Sequence, residues 1–64
     1  MERLSLKVAR IAAGLKQTDV AVALKVSRKT VASWESGRSM PTVDKVEAIC
    51  ALLGRSYDAI QWKV

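Results

Sequence analysis

Apolar residues recur at helical spacing along most of the chain. Leu4, Val8, Ile11 and Leu15 stand four, three and four positions apart. That spacing lines up one helical face, with Arg3, Lys7 and Arg10 lying off it. Gly14 marks the end, since a left-handed capping residue is cheapest as glycine, so a first helix is predicted from about Leu4 to Ala13. Lys16-Gln17-Thr18-Asp19 opens a second helix, with Asp19 in the first turn where the helix dipole favours an anion. Its inward stripe is Val20, Ala21 and Leu24, and the pattern breaks at Lys25-Val26. Barely two turns long, it depends on its neighbours, because isolated helices this short are marginal in water.

Ser27 offers an N-cap hydroxyl to a third helix, from Arg28 to about Ser36, which stops at Gly37. Val31 and Trp34 share its inner face, with Glu35 at the edge. Lys29, Ser33 and Ser36 project from the opposite face, flanked by Thr30 and Ala32. With no long apolar side chain, that face can approach another surface closely. Gly37-Arg38-Ser39-Met40-Pro41 reads as a loop, and Pro41 suits the start of a helix. The fourth helix runs from Thr42 to Leu53 and is closed by Gly54. Its core stripe is Val46, Ile49, Cys50 and Leu53, with Cys50 read as a small hydrophobe. Glu47 is the only polar residue between Val46 and Leu53, so burial on a second side, against another subunit, is expected. Ser56 caps a last short helix from Tyr57 to about Ile60. The expected fold is all-α: a single domain of five helices, 1–64, with a short tail at 61–64. In that tail Ile60, Trp62 and Val64 alternate with Gln61 and Lys63, the period of an extended strand.

Composition narrows the chemistry. The chain has 64 residues, 11 Lys+Arg against 6 Asp+Glu, no histidine and one cysteine, for a net charge of +5. One domain is all that length permits. A chain of about 60 residues buries only about 60% of its unfolded surface, so the core is thin and leaves no room for a roofed substrate pocket. Without histidine and with one cysteine, metal clusters, histidine-based catalysis and an internal disulfide lose their residues. Neither a metal nor a cofactor is expected, and the residues do not suggest an enzyme. No stretch approaches the roughly 20 apolar residues of a membrane span. Met1-Glu2-Arg3-Leu4 opens a charged segment unlike a signal peptide. A soluble cytoplasmic protein is the expectation, and its positive balance favours a polyanionic partner.

Two short helices about three residues apart, the second exposing polar and basic groups, outline a helix-turn-helix over about 17–36. The run from Gln17-Thr18-Asp19-Val20-Ala21 through Val31-Ala32-Ser33-Trp34-Glu35-Ser36-Gly37, followed by Pro41, resembles the Cro and repressor DNA-binding proteins of lambdoid phages. The resemblance covers about Leu4 to Ile60. It implies a transcription regulator, in a bacterial or phage-infected cell, that binds a two-fold-symmetric double-stranded operator as a homodimer. Carried over by position, Gln17 with its neighbour Lys16 would meet phosphate at the start of helix two. Arg28, Lys29 and Ser33 would read bases, with Ser27 and Thr30 beside them. Arg or Lys in the major groove most often reads guanine, so each half-site should hold at least one important G. Ser36 and Arg38 would grip phosphate after the recognition helix, and Arg10 and Glu35 would form a structural ion pair.

The sequence departs from the family at the turn, where Lys25 replaces the usual glycine. If Lys25 keeps a positive φ, the strain is roughly 1 kcal/mol or more; a turn of different shape would instead change the angle between the two helices. Blander readings stand beside these assignments. Arg28 and Lys29 also suit an ordinary solvated helix start, Gln17 a simple cap, and Arg10 and Glu35 separate surface charges. Trp62 and Val64, with Leu52 at the end of helix four, are candidates for dimer contacts; alternatively Trp62 folds back onto its own core. The same domain serves antitoxins, which also hold a toxin, and controllers of restriction–modification systems. A protein–protein adaptor would suit an apolar or acidic outer face on helix three better than this one.

Overall fold

Ser5 sets the start of the first helix, two residues later than its apolar spacing predicts. Its backbone is extended (φ −64°, ψ 158°) and its hydroxyl accepts the Val8 N–H at 3.2 Å, which makes it an N-cap. In the computed structural model, which describes residues 3–62, helix α1 therefore spans Leu6–Ala12, and Leu4–Ser5 forms a short strand, β1. Helices α2 (Gln17–Leu24), α3 (Arg28–Ser36) and α4 (Val43–Leu53) follow, then a single 3₁₀ turn at Tyr57–Ala59 and a second strand, β2, at Ile60–Gln61.

Among the described residues there are thus four α-helices rather than five. The segment after Ser56 makes only one 3₁₀ turn because Ile60 becomes extended (φ −116°, ψ 134°). As a strand residue, Ile60 reaches the core, where it is 1% exposed. Strands β1 and β2 run parallel, with Leu4 opposite Ile60 and Ser5 opposite Gln61. Ile60 and Gln61, at the start of the alternating tail, therefore find their pairing edge within the chain, while Lys63 and Val64 lie outside the described residues. Trp62 is buried in the same domain, donates its indole N–H to the Tyr57 carbonyl (3.1 Å) and stacks on the Tyr57 ring.

Helix α1 also turns a different face inward. Leu6, Ala9 and Arg10 are buried, while Val8 and Ile11 are 47% and 56% exposed. Of the expected stripe, Leu4 and Leu15 pack against the core from outside the helix, while Val8 and Ile11, within it, do not. Two forces select the face that turns inward. Ala9, fully buried, lets neighbouring backbones approach closely, and Arg10 points inward to reach Glu35, 25 residues later.

The remaining helices bury the expected stripes: Val20, Ala21 and Leu24 on α2, Val31 and Trp34 on α3, and Val46, Ile49 and Leu53 on α4. Cys50 is half-buried, and burial pushes its thiol pKa up, away from reactivity. The Asp19 carboxylate accepts the Lys16 backbone N–H (2.8 Å) at the start of α2. At the start of α4 the Thr42 hydroxyl bonds to Asp44, which holds that carboxyl below its ordinary range. The outer side of α4 is open: Leu52 is 37% exposed.

Candidate nucleic-acid interface

The α2–α3 pair is fixed by its turn. Helix α2 ends at Lys25 in the left-handed conformation (φ 58°, ψ 43°). Lys25 N–H donates to the Val22 carbonyl and Val26 N–H to the Ala21 carbonyl, the two backbone bonds of a Schellman ending. A lysine here carries the steric cost that glycine avoids, about 1–2 kcal/mol. Lys45 of α4 donates to the Leu24 carbonyl at 2.9 Å and so anchors the end of α2 beside the strained residue. Three residues, Lys25 to Ser27, separate the two helices. Ser27 then caps α3, its hydroxyl accepting the Thr30 N–H at 3.1 Å.

Behind the pair lies a charged network. Arg10 Nε donates to Glu35 Oε2 at 2.6 Å and Nη2 to Oε1 at 3.3 Å, while Nη1 reaches the Leu15 carbonyl at 2.8 Å. The two side chains are 10% and 5% exposed. The bidentate geometry uses the planar fork of the guanidinium and satisfies a charge that burial would otherwise penalise. Gln17 Nε2 donates to Glu35 Oε1 (3.0 Å), and Arg28 Nη1 donates to Gln17 Oε1 (3.2 Å). One chain of bonds thus links α1, α3 and α2 and ends at the first residue of the α3 outer surface.

Helix α3 and the loop behind it enclose an open groove of about 620 Å³, lined by Ser27, Lys29, Thr30, Ala32, Ser33, Ser36, Arg38 and Ser39. Six residues assigned from the sequence meet there: Ser27, Lys29, Thr30, Ser33, Ser36 and Arg38. Lys16, Gln17 and Arg28 do not line it. Gln17 is half-buried in the network, Arg28 leans toward Gln17, and Lys16 is exposed at the start of α2. The Lys29 and Arg38 side chains have no hydrogen-bonding partner among the described residues. Two free cations, a row of hydroxyls and no carboxylate suit the groove to a polyanion.

Ser39 is the residue that sequence reasoning missed. Gly37 (φ 81°) reverses the chain after α3, a conformation a glycine adopts without steric cost. The Arg38 N–H then donates back to the Ser33 carbonyl (3.0 Å) and the Gly37 N–H to the Trp34 carbonyl (3.3 Å). That reversal carries the Ser39 hydroxyl to 2.9 Å from the Ser33 hydroxyl. A serine in a loop has no periodic signature, so nothing in the pattern announced the contact.

Residues 6–60 match the family model described as helix-turn-helix. The chain belongs to the helix-turn-helix family. Its type is that of Cro and C1, a group of DNA-binding regulators. A 39-residue stretch is 44% identical to the 26 kDa repressor protein of Escherichia phage HK022, covering 61% of this chain and 17% of that protein. The matched stretch of this helix-turn-helix chain thus spans only about 17% of that relative's length. No solved structure matches it. Among the described residues, no group of three or more His, Cys, Asp or Glu could hold a metal ion. No helix there is long and apolar enough to cross a membrane.

Proposed function

We propose that the chain is a sequence-specific DNA-binding transcription regulator. In this reading it acts as a homodimer on a two-fold-symmetric operator, in the manner of a Cro-like phage repressor. The observation that carries the reading is the α3 groove, in which Lys29, Arg38 and several hydroxyls converge on a helix held from behind by the Arg10–Glu35 pair. Helix α3 enters the major groove. Lys29 and Arg28 read guanine edges, and Ser27, Thr30 and Ser33 lie beside them. Lys16, the start of α2 and the remaining N–H of Gln17 meet phosphate on one side, and Ser36 and Arg38 do so on the other.

The network gives Arg28 a defined approach. With one guanidinium nitrogen bonded to Gln17, the side chain loses rotamers before DNA arrives, so less entropy is lost on binding. Of the dimer candidates, Trp62 is occupied within its own domain and Val64 lies outside the described residues. Leu52 on α4 is left open to a second copy. Occupancy follows protein concentration and operator affinity, and the simplest outcome is exclusion of polymerase.

Selection of bound sequences from a random duplex library, at near-physiological salt, tests the reading. The expected product is a two-fold-symmetric site with half-site centres about 10 base pairs apart, each half containing a G. Recovery of sequence-independent binding alone would contradict it.

A further inference from the structure

We propose that Ser39 is a positioning residue that fixes the polarity of the Ser33 hydroxyl, so that Ser33 reads an exocyclic amino group, on adenine or cytosine. The inference rests on the DNA-reading proposal above. It starts from the pair of hydroxyls 2.9 Å apart, either of which can donate. Each holds one hydrogen and two lone pairs. A lone serine hydroxyl rotates freely and serves a base donor or a base acceptor equally, so by itself it discriminates little.

Here the hydroxyl is not alone. The loop is folded against Ser33 by a further bond, since the Ser33 carbonyl accepts the Arg38 N–H (3.0 Å). Ser39 is therefore held beside Ser33 by backbone geometry. It is exposed, it follows Arg38, and it lines the groove whose charged members, Lys29 and Arg38, are both cations. A phosphodiester fits that setting, and phosphate oxygens only accept. When Ser39 gives its single hydrogen to phosphate, it must accept from Ser33. The Ser33 hydrogen is then committed to Ser39, which leaves only lone pairs on Ser33 for the base edges. Only a donor can bond to them. In the major groove the donors are the N6 amino group of adenine and the N4 amino group of cytosine, whereas guanine O6 and thymine O4 are acceptors.

The test is random-library selection with the full chain as wild type and as Ser33→Ala, Ser39→Ala and Ser39→Thr. The position whose preference disappears in Ser33→Ala identifies the base that Ser33 reads, and in wild type it should be A or C. Ser39→Ala should raise G or T at that position alone by about three- to tenfold, the worth of one neutral hydrogen bond. Ser39→Thr, which keeps the hydroxyl, should retain the wild-type preference. A loss of packing would not move one base position selectively. The inference is overturned if that position is G or T in wild type, if Ser33→Ala changes no position, or if Ser39→Ala leaves the preference intact. A wild type with no preferred sequence removes the DNA-reading proposal as well, which separates that failure from a failure of Ser39 alone.

Discussion

The inner and outer sides of α3 do different work with residues that alternate along nine positions. On the inner side Val31 and Trp34 are buried, and Glu35 ties the helix to α1 and α2. On the outer side Lys29 and Ser33 line an open groove. Substitutions on the inner side should cost stability, and those on the outer side should cost binding while the fold survives. The link between the sides is Gln17, bonded to Glu35 within and to Arg28 without. The contrast shows how a thin core can still orient an exposed helix face: a satisfied polar network acts beside apolar packing.

The largest expected effect is at Trp34. Trp34→Ala should destabilise by about 3–5 kcal/mol, enough to unfold most of so small a domain; far-ultraviolet circular dichroism with urea titration would register it. Glu35→Ala leaves Arg10 buried without its anion and should cost about 3 kcal/mol in the same titration. A loss below about 1 kcal/mol would mean that the pair does not hold the helices together. Lys29→Ala, on the outer side, should leave the urea midpoint unchanged, weaken operator binding by about 1–3 kcal/mol and relax one base position. A fall in stability that matched the fall in binding would erase the distinction between the two sides. The smallest effect belongs to the turn. Lys25→Gly relieves the left-handed strain, partly offset by the greater chain entropy of glycine, and should stabilise by about 0.5–1 kcal/mol.

Legibility in the sequence followed the range of the interactions. The bounds of α3 and α4 could be read because Ser27, Gly37, Thr42 and Gly54 act within one turn of themselves. The face of α1 could not. Arg10 counts as polar in any periodicity, and only Glu35, 25 residues away, makes its burial favourable. The extended tail was visible in the alternation of Ile60, Gln61 and Trp62, but its pairing edge, Leu4–Ser5, had been absorbed into the first helix. One serine displaced that boundary by capping at Ser5. At the candidate site, the spacing of α3 grouped Lys29, Ser33 and Ser36 and the family resemblance added Arg38, while Ser39 and Lys45 entered only through contacts across loops.

The central claim is that the outer side of α3 distinguishes one DNA sequence from another. The most direct test is a titration of the full chain with the duplex recovered by selection and with a scrambled duplex of the same length and composition. Both titrations should be run at about 0.15 M salt, where screening suppresses non-specific phosphate contacts. A preference of about 10³ or more for the selected duplex is the predicted result. Equal affinity for the two duplexes would contradict the account.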